Sequence, residues 1–254
     1  MTHASLFSGI GGFDLAAEWA GWTNAFNCEI DPFCRRVLKY HFPNAEQYED
    51  ITKSDFSKWR DRIDVLTGGF PCQPFSLAGK RKGTDDNRYL WPAMFGVIRT
   101  IRPRWVVGEN VYGIVNWSEG MVFDTVCSDL EAAGYEVQPY IIPACGVGAP
   151  HRRDRCWFVA HADVQRFEKC NASEKSSQTQ ERLAQNGNEK RRIPDWSGFP
   201  TESPVCDRDD GFPGGLVGIS FPKWCRESIK ACGNAIVPQV ALQIFKTIEE
   251  YETK

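Results

Sequence analysis

Short apolar runs at 3–7, 25–30, 64–67, 104–108, 137–142 and 155–161 alternate with stretches of helical period, and this alternation constrains the fold more than any other feature. Apolar runs that short suit buried strands, and the stretches at 13–20, 32–40, 92–101 and 119–133 suit helices laid over them. The local punctuation agrees. Gly21 and Gly134 follow the first and last of these helices, and Asp31-Pro32 offers an N-cap and a first-turn proline to the second. The expectation is an α/β fold, a mostly parallel sheet with helices on both faces.

The pattern stops near Ala162. From 163 to about 210 the chain is rich in Asn, Gln, Ser, Glu, Lys and Arg, and 168–192 carries too little apolar surface to order itself in isolation. Periodicity returns near Ile229, where GNAIVPQVALQIFKTIEEY reads as a turn followed by an amphipathic terminal helix. The expected organisation is therefore a catalytic and cofactor-binding domain at 1–161, a short insert at 162–226, and a last helix at 227–254 returning to the first domain. At 254 residues, 42% hydrophobic and 25% charged, the chain can build one full α/β domain and a small appendage.

Composition also excludes. No apolar stretch approaches membrane-spanning length, and no basic region followed by an apolar core opens the chain. The ten cysteines form no C-x-x-C pair and stand among only four histidines, which argues against a zinc site or a disulfide framework. Reduced thiols in a cytoplasmic protein without a metal are expected. A net charge of -3 argues against a globally basic nucleic-acid binder while leaving room for a local basic groove.

Four segments carry chemistry. In LFSGIGGFDLAAE, a strand, a glycine-rich turn and a helix follow one another, so Gly9, Gly11 and Gly12 could admit a ligand close to the backbone at a helix N-terminus. Asp14 stands where the dinucleotide fingerprint would place its last glycine, which removes a phosphate cradle. Glu29 ends the next strand, where an acidic side chain holds ribose hydroxyls, and Asp50 borders the same edge. The second segment, GGFPCQPFS, puts Cys72 between Pro71 and Gln73 just past a strand, where a thiol can act as a nucleophile in the crevice of an open sheet. In the third, Glu109 of GENVYG sits at another strand end and suits proton handling. In the fourth, HRRDR, Arg153 and Arg155 alternate into a strand and would share one face.

Together these segments resemble the cytosine carbon-5 DNA methyltransferases, over roughly 2–161 and 228–248. LFSGIGGF is similar to that family's first cofactor motif, GGFPCQPFS to its nucleophile loop, ENV to its acid motif, HRRDR to its arginine motif and GNAIVPQV to its last motif. The resemblance implies a Rossmann-like S-adenosylmethionine-dependent methyltransferase fold, with the insert serving as a small target-recognition region. It also implies S-adenosylmethionine as methyl donor and a cytosine flipped out of double-stranded DNA as acceptor. Cys72 would then add to carbon 6, Glu109 would serve ring nitrogen 3, and Arg153 and Arg155 would steady the ring carbonyl or nearby phosphates. Phe7, Gly9, Gly11, Gly12, Glu29, Ile30, Asp50, Ile51, Pro71, Asn234 and Ala235 would form the cofactor pocket. Ser76, Lys80, Arg81, Lys82, Arg88, Arg191 and Arg192 would contact DNA.

The resemblance further implies a monomer that needs no protein partner and acts in the cytoplasm of a bacterium or phage host, at the nucleoid, beside a cognate restriction endonuclease or alone. Two departures stand out: His151 replaces the family's usual glutamine, and no arginine-rich segment precedes the last helix. A transfer-RNA substrate, a non-catalytic DNA-binding relative and a nicotinamide oxidoreductase are the alternative readings.

Overall fold

A computed structural model describes residues 1–71, 89–162 and 221–253. Seven strands form one sheet: β1 (Thr2–Leu6), β2 (Thr23–Cys28), β3 (Glu46–Tyr48), β4 (Val65–Gly68), β5 (Trp105–Val111), β6 (Tyr135–Ile142) and β7 (Arg155–Ala162). Their spatial order is β3-β2-β1-β4-β5-β7-β6. The first five pair in parallel, and β7 runs antiparallel to both β5 and β6. The chain leaves β1 toward β3 on one side and returns through β4 on the other. The order thus reverses between β1 and β4, and their carboxyl ends open a crevice where ligands bind in such sheets.

Six α-helices stand among the described residues, beside four short 3-10 turns: α1 (Gly12–Trp19), α2 (Pro32–His41), α3 (Trp91–Ile101), α4 (Met121–Ala132), α5 (Phe221–Asn234) and α6 (Pro238–Glu252). Asp31 caps α2, accepting from the backbone N–H of Phe33 and Cys34 at 2.8 and 3.4 Å. On one face of the sheet Phe13, Ala16 and Ala17 of α1 and Val240, Ile244 and Phe245 of α6 pack with Val65, Val107 and Trp157. Across the other face Met94, Ile98 and Ile101 of α3 and Val126 and Leu130 of α4 meet Leu66, Val106 and Phe158. Burying apolar stripes from both helical layers on one sheet is the main source of stability in such a fold. The expected architecture, a mostly parallel sheet with helices on both faces, is thereby observed.

The structure departs from the sequence expectation in three places. β5 continues through Glu109, Asn110 and Val111, which pair with Trp157, Cys156 and Arg155 of β7. Cross-strand pairing overrides the polar composition there, so Glu109 stands within a strand and not in the turn after it. A short strand, β3, lines the far edge. Helix α5 is not among the expected elements: its inward positions include Ser228, and only Trp224 and Ala231 pack with Phe33, Cys34 and Val37 of α2. The division expected at 226 falls inside this helix, so it is no break in secondary structure.

Candidate active site

The turn after β1 is shaped by its neighbours. Phe7, Gly9 and Gly11 all take left-handed backbone angles, with φ of 51, 55 and 87°. A β-carbon on Gly11 would lie 2.4 Å from a ring carbon of Phe42, and one on Gly12 would lie 2.6 Å from Ile236. Those two glycines therefore make room for the Phe42 and Ile236 side chains. Gly9 differs: nothing lies within 4 Å of where its β-carbon would stand. Its N–H donates to Glu29 Oε2 at 2.7 Å, and the Asp31 N–H donates to Oε1 at 2.8 Å. Glu29 is thus fixed at the lip of the crevice, with lone pairs left on both oxygens.

Behind the turn lies a buried polar cluster that the sequence did not announce. Ser5 Oγ donates to both carboxyl oxygens of Asp14 at 3.0 Å and lies 2.7 Å from Ser8 Oγ. Ser8 Oγ accepts from the Cys28 N–H at 3.1 Å, tying the turn to the end of β2 one residue before Glu29. Burial pushes the Asp14 carboxyl up to about 7, against the opposing hydrogen bond from Ser5.

Other expected pocket residues gather at the same sheet ends. Phe7 and Ile51 pack against the core, and Ile30 is 66% exposed beside Glu29. Asp50 is turned into its own loop, where it accepts from Thr52 N, Thr52 Oγ1 and Lys53 Nζ at 2.9, 2.7 and 3.0 Å. The Thr52 hydroxyl first, then Lys53, holds it down to about 2. Asn234 is exposed at the end of α5, and Ala235 is half-buried just beyond it.

On the other side of the switch point the acid is built from three chain segments. Glu109 Oε1 pairs with Arg155 Nε at 2.9 Å, and both side chains are largely buried. Burial pushes Glu109 up to about 7, while the charges of Arg155 and then Arg153 oppose the rise. Its second oxygen lies 3.2 Å from where a β-carbon on Gly69 would be, so Glu109 abuts the segment that leads to Cys72. Buried Asn110 donates from Nδ2 to the Phe70 carbonyl at 2.9 Å and anchors that segment to β5. Pro71, the last described residue there, is exposed.

Arg153 and Arg155 are not two positions on one strand face. Arg153 precedes β7 with a φ of 39°, and its Nη2 donates to the carbonyls of Gly233 and Ala235 at 3.0 and 2.6 Å. Glu109, Arg153, Arg155, Trp157, Ile236 and Val240 nonetheless line one narrow cleft.

The family model for C-5 cytosine-specific DNA methylases matches residues 1–205 of this sequence. The chain belongs to that family. It is 36% identical over 174 residues to the type II methyltransferase M.AquIA of Picosynechococcus sp., which covers 62% of this chain and 70% of that one. Against M.Eco47II of Escherichia coli and M.HpaII of Haemophilus parainfluenzae the identity is 35 and 36%. Those alignments cover 63 and 62% of this chain and only 39 and 45% of the relatives. This chain therefore spans less than half the length of those two. Among solved structures, Schizosaccharomyces pombe Dnmt2 superposes with a TM-score of 0.54 at 20% identity, covering 69% of this chain and 57% of its own. Entamoeba histolytica EhMeth superposes with 0.53 at 21%, covering 76 and 63%. Both share the fold.

Set against this methylase family, the described residues bring together Glu109, Arg155 and the approach to the nucleophile loop, with the glycine turn and Glu29 across the switch point. Cys72, Ser76, Lys80, Arg81, Lys82, Arg88, Arg191 and Arg192 lie outside the described residues. Gly69, Asn110, Asp14 and Ile236 were missed as site-forming residues. All four lie inside the quoted motifs, but only their neighbours in space show what they do. Among the described residues no three metal-binding side chains converge, and no helix is long and apolar enough to cross a membrane.

Proposed function

We propose that this methylase-family chain transfers a methyl group from S-adenosylmethionine to carbon 5 of a cytosine flipped out of double-stranded DNA. The observation that carries the reading is the buried Glu109–Arg155 pair at 2.9 Å, set against Gly69 at the foot of the nucleophile loop.

The crevice suits the cofactor. Glu29 keeps acceptor capacity for two ribose hydroxyls while anchored by Gly9 and Asp31. Exposed Ile30 offers an apolar cover for an adenine, and the open space over Gly9 admits an aminoacyl end. No basic side chain is needed, since the molecule carries no phosphate. When bound, S-adenosylmethionine supplies an electrophilic methyl group.

The chain's own residues prepare the acceptor. Cytosine carbon 5 is a poor nucleophile until a thiolate adds to carbon 6 and makes it enamine-like. Cys72 is the proposed thiolate, and its sulfur forms the bond to carbon 6 as electron density moves toward ring nitrogen 3. A protonated Glu109 donates a proton there and relieves that charge. At neutral pH burial keeps much of Glu109 in the protonated form this requires. Arg155 fixes the carboxyl group and offers its remaining N–H groups to the ring carbonyl. After methylation ring nitrogen 3 returns its proton to Glu109, water takes the carbon-5 proton, and the sulfur leaves with its electron pair.

Ser76, Lys80, Arg81, Lys82 and Arg88 remain the proposed phosphate contacts near the base, with Arg191 and Arg192 in the target-recognition region at 162–226. We further propose that the chain works as a monomer in the cytoplasm. Methyl-transfer assays run in parallel on duplex DNA and on transfer RNA test the substrate. Label appearing as 5-methylcytosine in DNA supports the reading; label in transfer RNA alone overturns it.

A further inference from the structure

We infer that Arg153 is a positioning residue, a latch that holds the linker between α5 and α6 across the base pocket and so assembles the cofactor turn and the acid together. The inference rests on the methyltransferase reading above.

Its guanidinium reaches from the start of β7 to two backbone carbonyls about 80 residues away, Gly233 at the end of α5 and Ala235 in the linker. The next linker residue, Ile236, fills the space a side chain on Gly12 would need, at the first turn of α1. The clamped linker is therefore the back wall of the glycine turn. Helix α5, which leads into the linker, is tied down as well: its Lys230 pairs with Asp31 at 3.2 Å, two residues from Glu29. Ile236, Val237 and Arg153 then complete the cleft that contains Glu109 and Arg155.

A helix cap alone would explain less. Any exposed cation at the end of α5 could satisfy a carbonyl there. Here the donor is a half-buried arginine on a different element, held with a left-handed backbone angle that a non-glycine residue adopts at a cost. With both hydrogen bonds spent on backbone, its Nη2 has little left for a base or a phosphate. Its charge still acts on Glu109, second to Arg155. One side chain thus touches both halves of the site.

The test uses the full chain and S-adenosylhomocysteine as a binding probe, measured by calorimetry without DNA. Losing two charge-assisted hydrogen bonds to the linker should weaken the probe by about tenfold or more in Arg153→Ala. Arg153→Lys, which keeps the charge and one contact, should lose less. Arg155→Gln, which leaves the linker clamped, should bind the probe like the parent chain. Turnover gives a second readout: Arg153→Ala should move the alkaline limb of the pH–rate profile upward, and Arg153→Lys should leave it in place. Unchanged probe affinity in Arg153→Ala, or equal loss in Arg155→Gln, overturns the latch. A parent chain that binds no probe overturns the methyltransferase reading instead.

Discussion

A β-carbon on Gly69 would stand 3.2 Å from Oε2 of Glu109. The residue that opens the path to the nucleophile loop is thus glycine because the acid needs its space. Gly69→Ala should push the carboxyl group away from its place beside Arg155. At 3.2 Å the carboxyl group must give by only a few tenths of an ångström. Since about 1 Å at a reacting group can cost on the order of 100-fold, kcat should fall by roughly 3- to 10-fold with the KM for S-adenosylmethionine unmoved. A normal kcat would mean that this contact does not position the acid.

The pH–rate profile should report Glu109. Its carboxyl is raised from 4.5 to about 7 by burial, with Arg155 and then Arg153 opposing. Since the protonated form is the donor, kcat/KM should have an alkaline limb that falls as pH rises through that value. Arg155→Gln removes the larger opposing charge, so the falling limb should move to higher pH even as the rate drops. An alkaline limb that stays in place would separate it from Glu109.

Asp14 makes a prediction about stability. Its carboxyl titrates near 7 in the fold, against 3.8 when exposed, because burial disfavours the charged form. The folded state therefore keeps a proton that the unfolded chain releases between these values, and stability falls as pH rises from about 4 to 7. Asp14→Asn abolishes that dependence. Urea denaturation should show the variant gaining on the parent across this window, by up to about 1.4 kcal/mol per pH unit and at most about 4 in total. Buried His3, held down to about 4 chiefly by burial, acts in the opposite sense in both chains and cancels in the difference. Parallel curves would show that Asp14 is ionised in the fold.

Gly12 and Ile236 should be energetically coupled. Gly12→Ala would crowd Ile236, whose side chain lies 2.6 Å from the added carbon, and overpacking of this kind costs about 1–3 kcal/mol. In an Ile236→Ala background the same substitution should cost little. A double-mutant cycle by thermal unfolding checks this. Additive losses would deny the contact.

The sheet and its helices, β3 and α5 excepted, were legible because their signals are local. Asp31-Pro32 announced α2 by a cap and a first-turn proline, and Gly134, with its φ of 91°, announced the end of α4. The site was legible only as motifs. Nothing near Glu109 in sequence shows that β5 extends to hold it, since that follows from pairing with Trp157 and Arg155 on a later strand. That Gly11 and Gly12 also make room for Phe42 and Ile236 could not be seen, because those neighbours are distant in sequence. Arg153 and Arg155 read as twins from their spacing; a single strained residue sends one to the linker and the other to the acid.

The central claim is that the Cys72 thiol bonds to cytosine carbon 6 beside a proton-donating Glu109. The most direct measurement is intact-mass analysis of the chain after incubation with S-adenosylmethionine and a duplex carrying 5-fluorocytosine, in which carbon 5 cannot lose a proton. The account predicts a stable adduct of one chain with one methylated DNA strand, mapped to Cys72 and absent in Cys72→Ser. Methylation of ordinary DNA with no such adduct, or by Cys72→Ser, would contradict it.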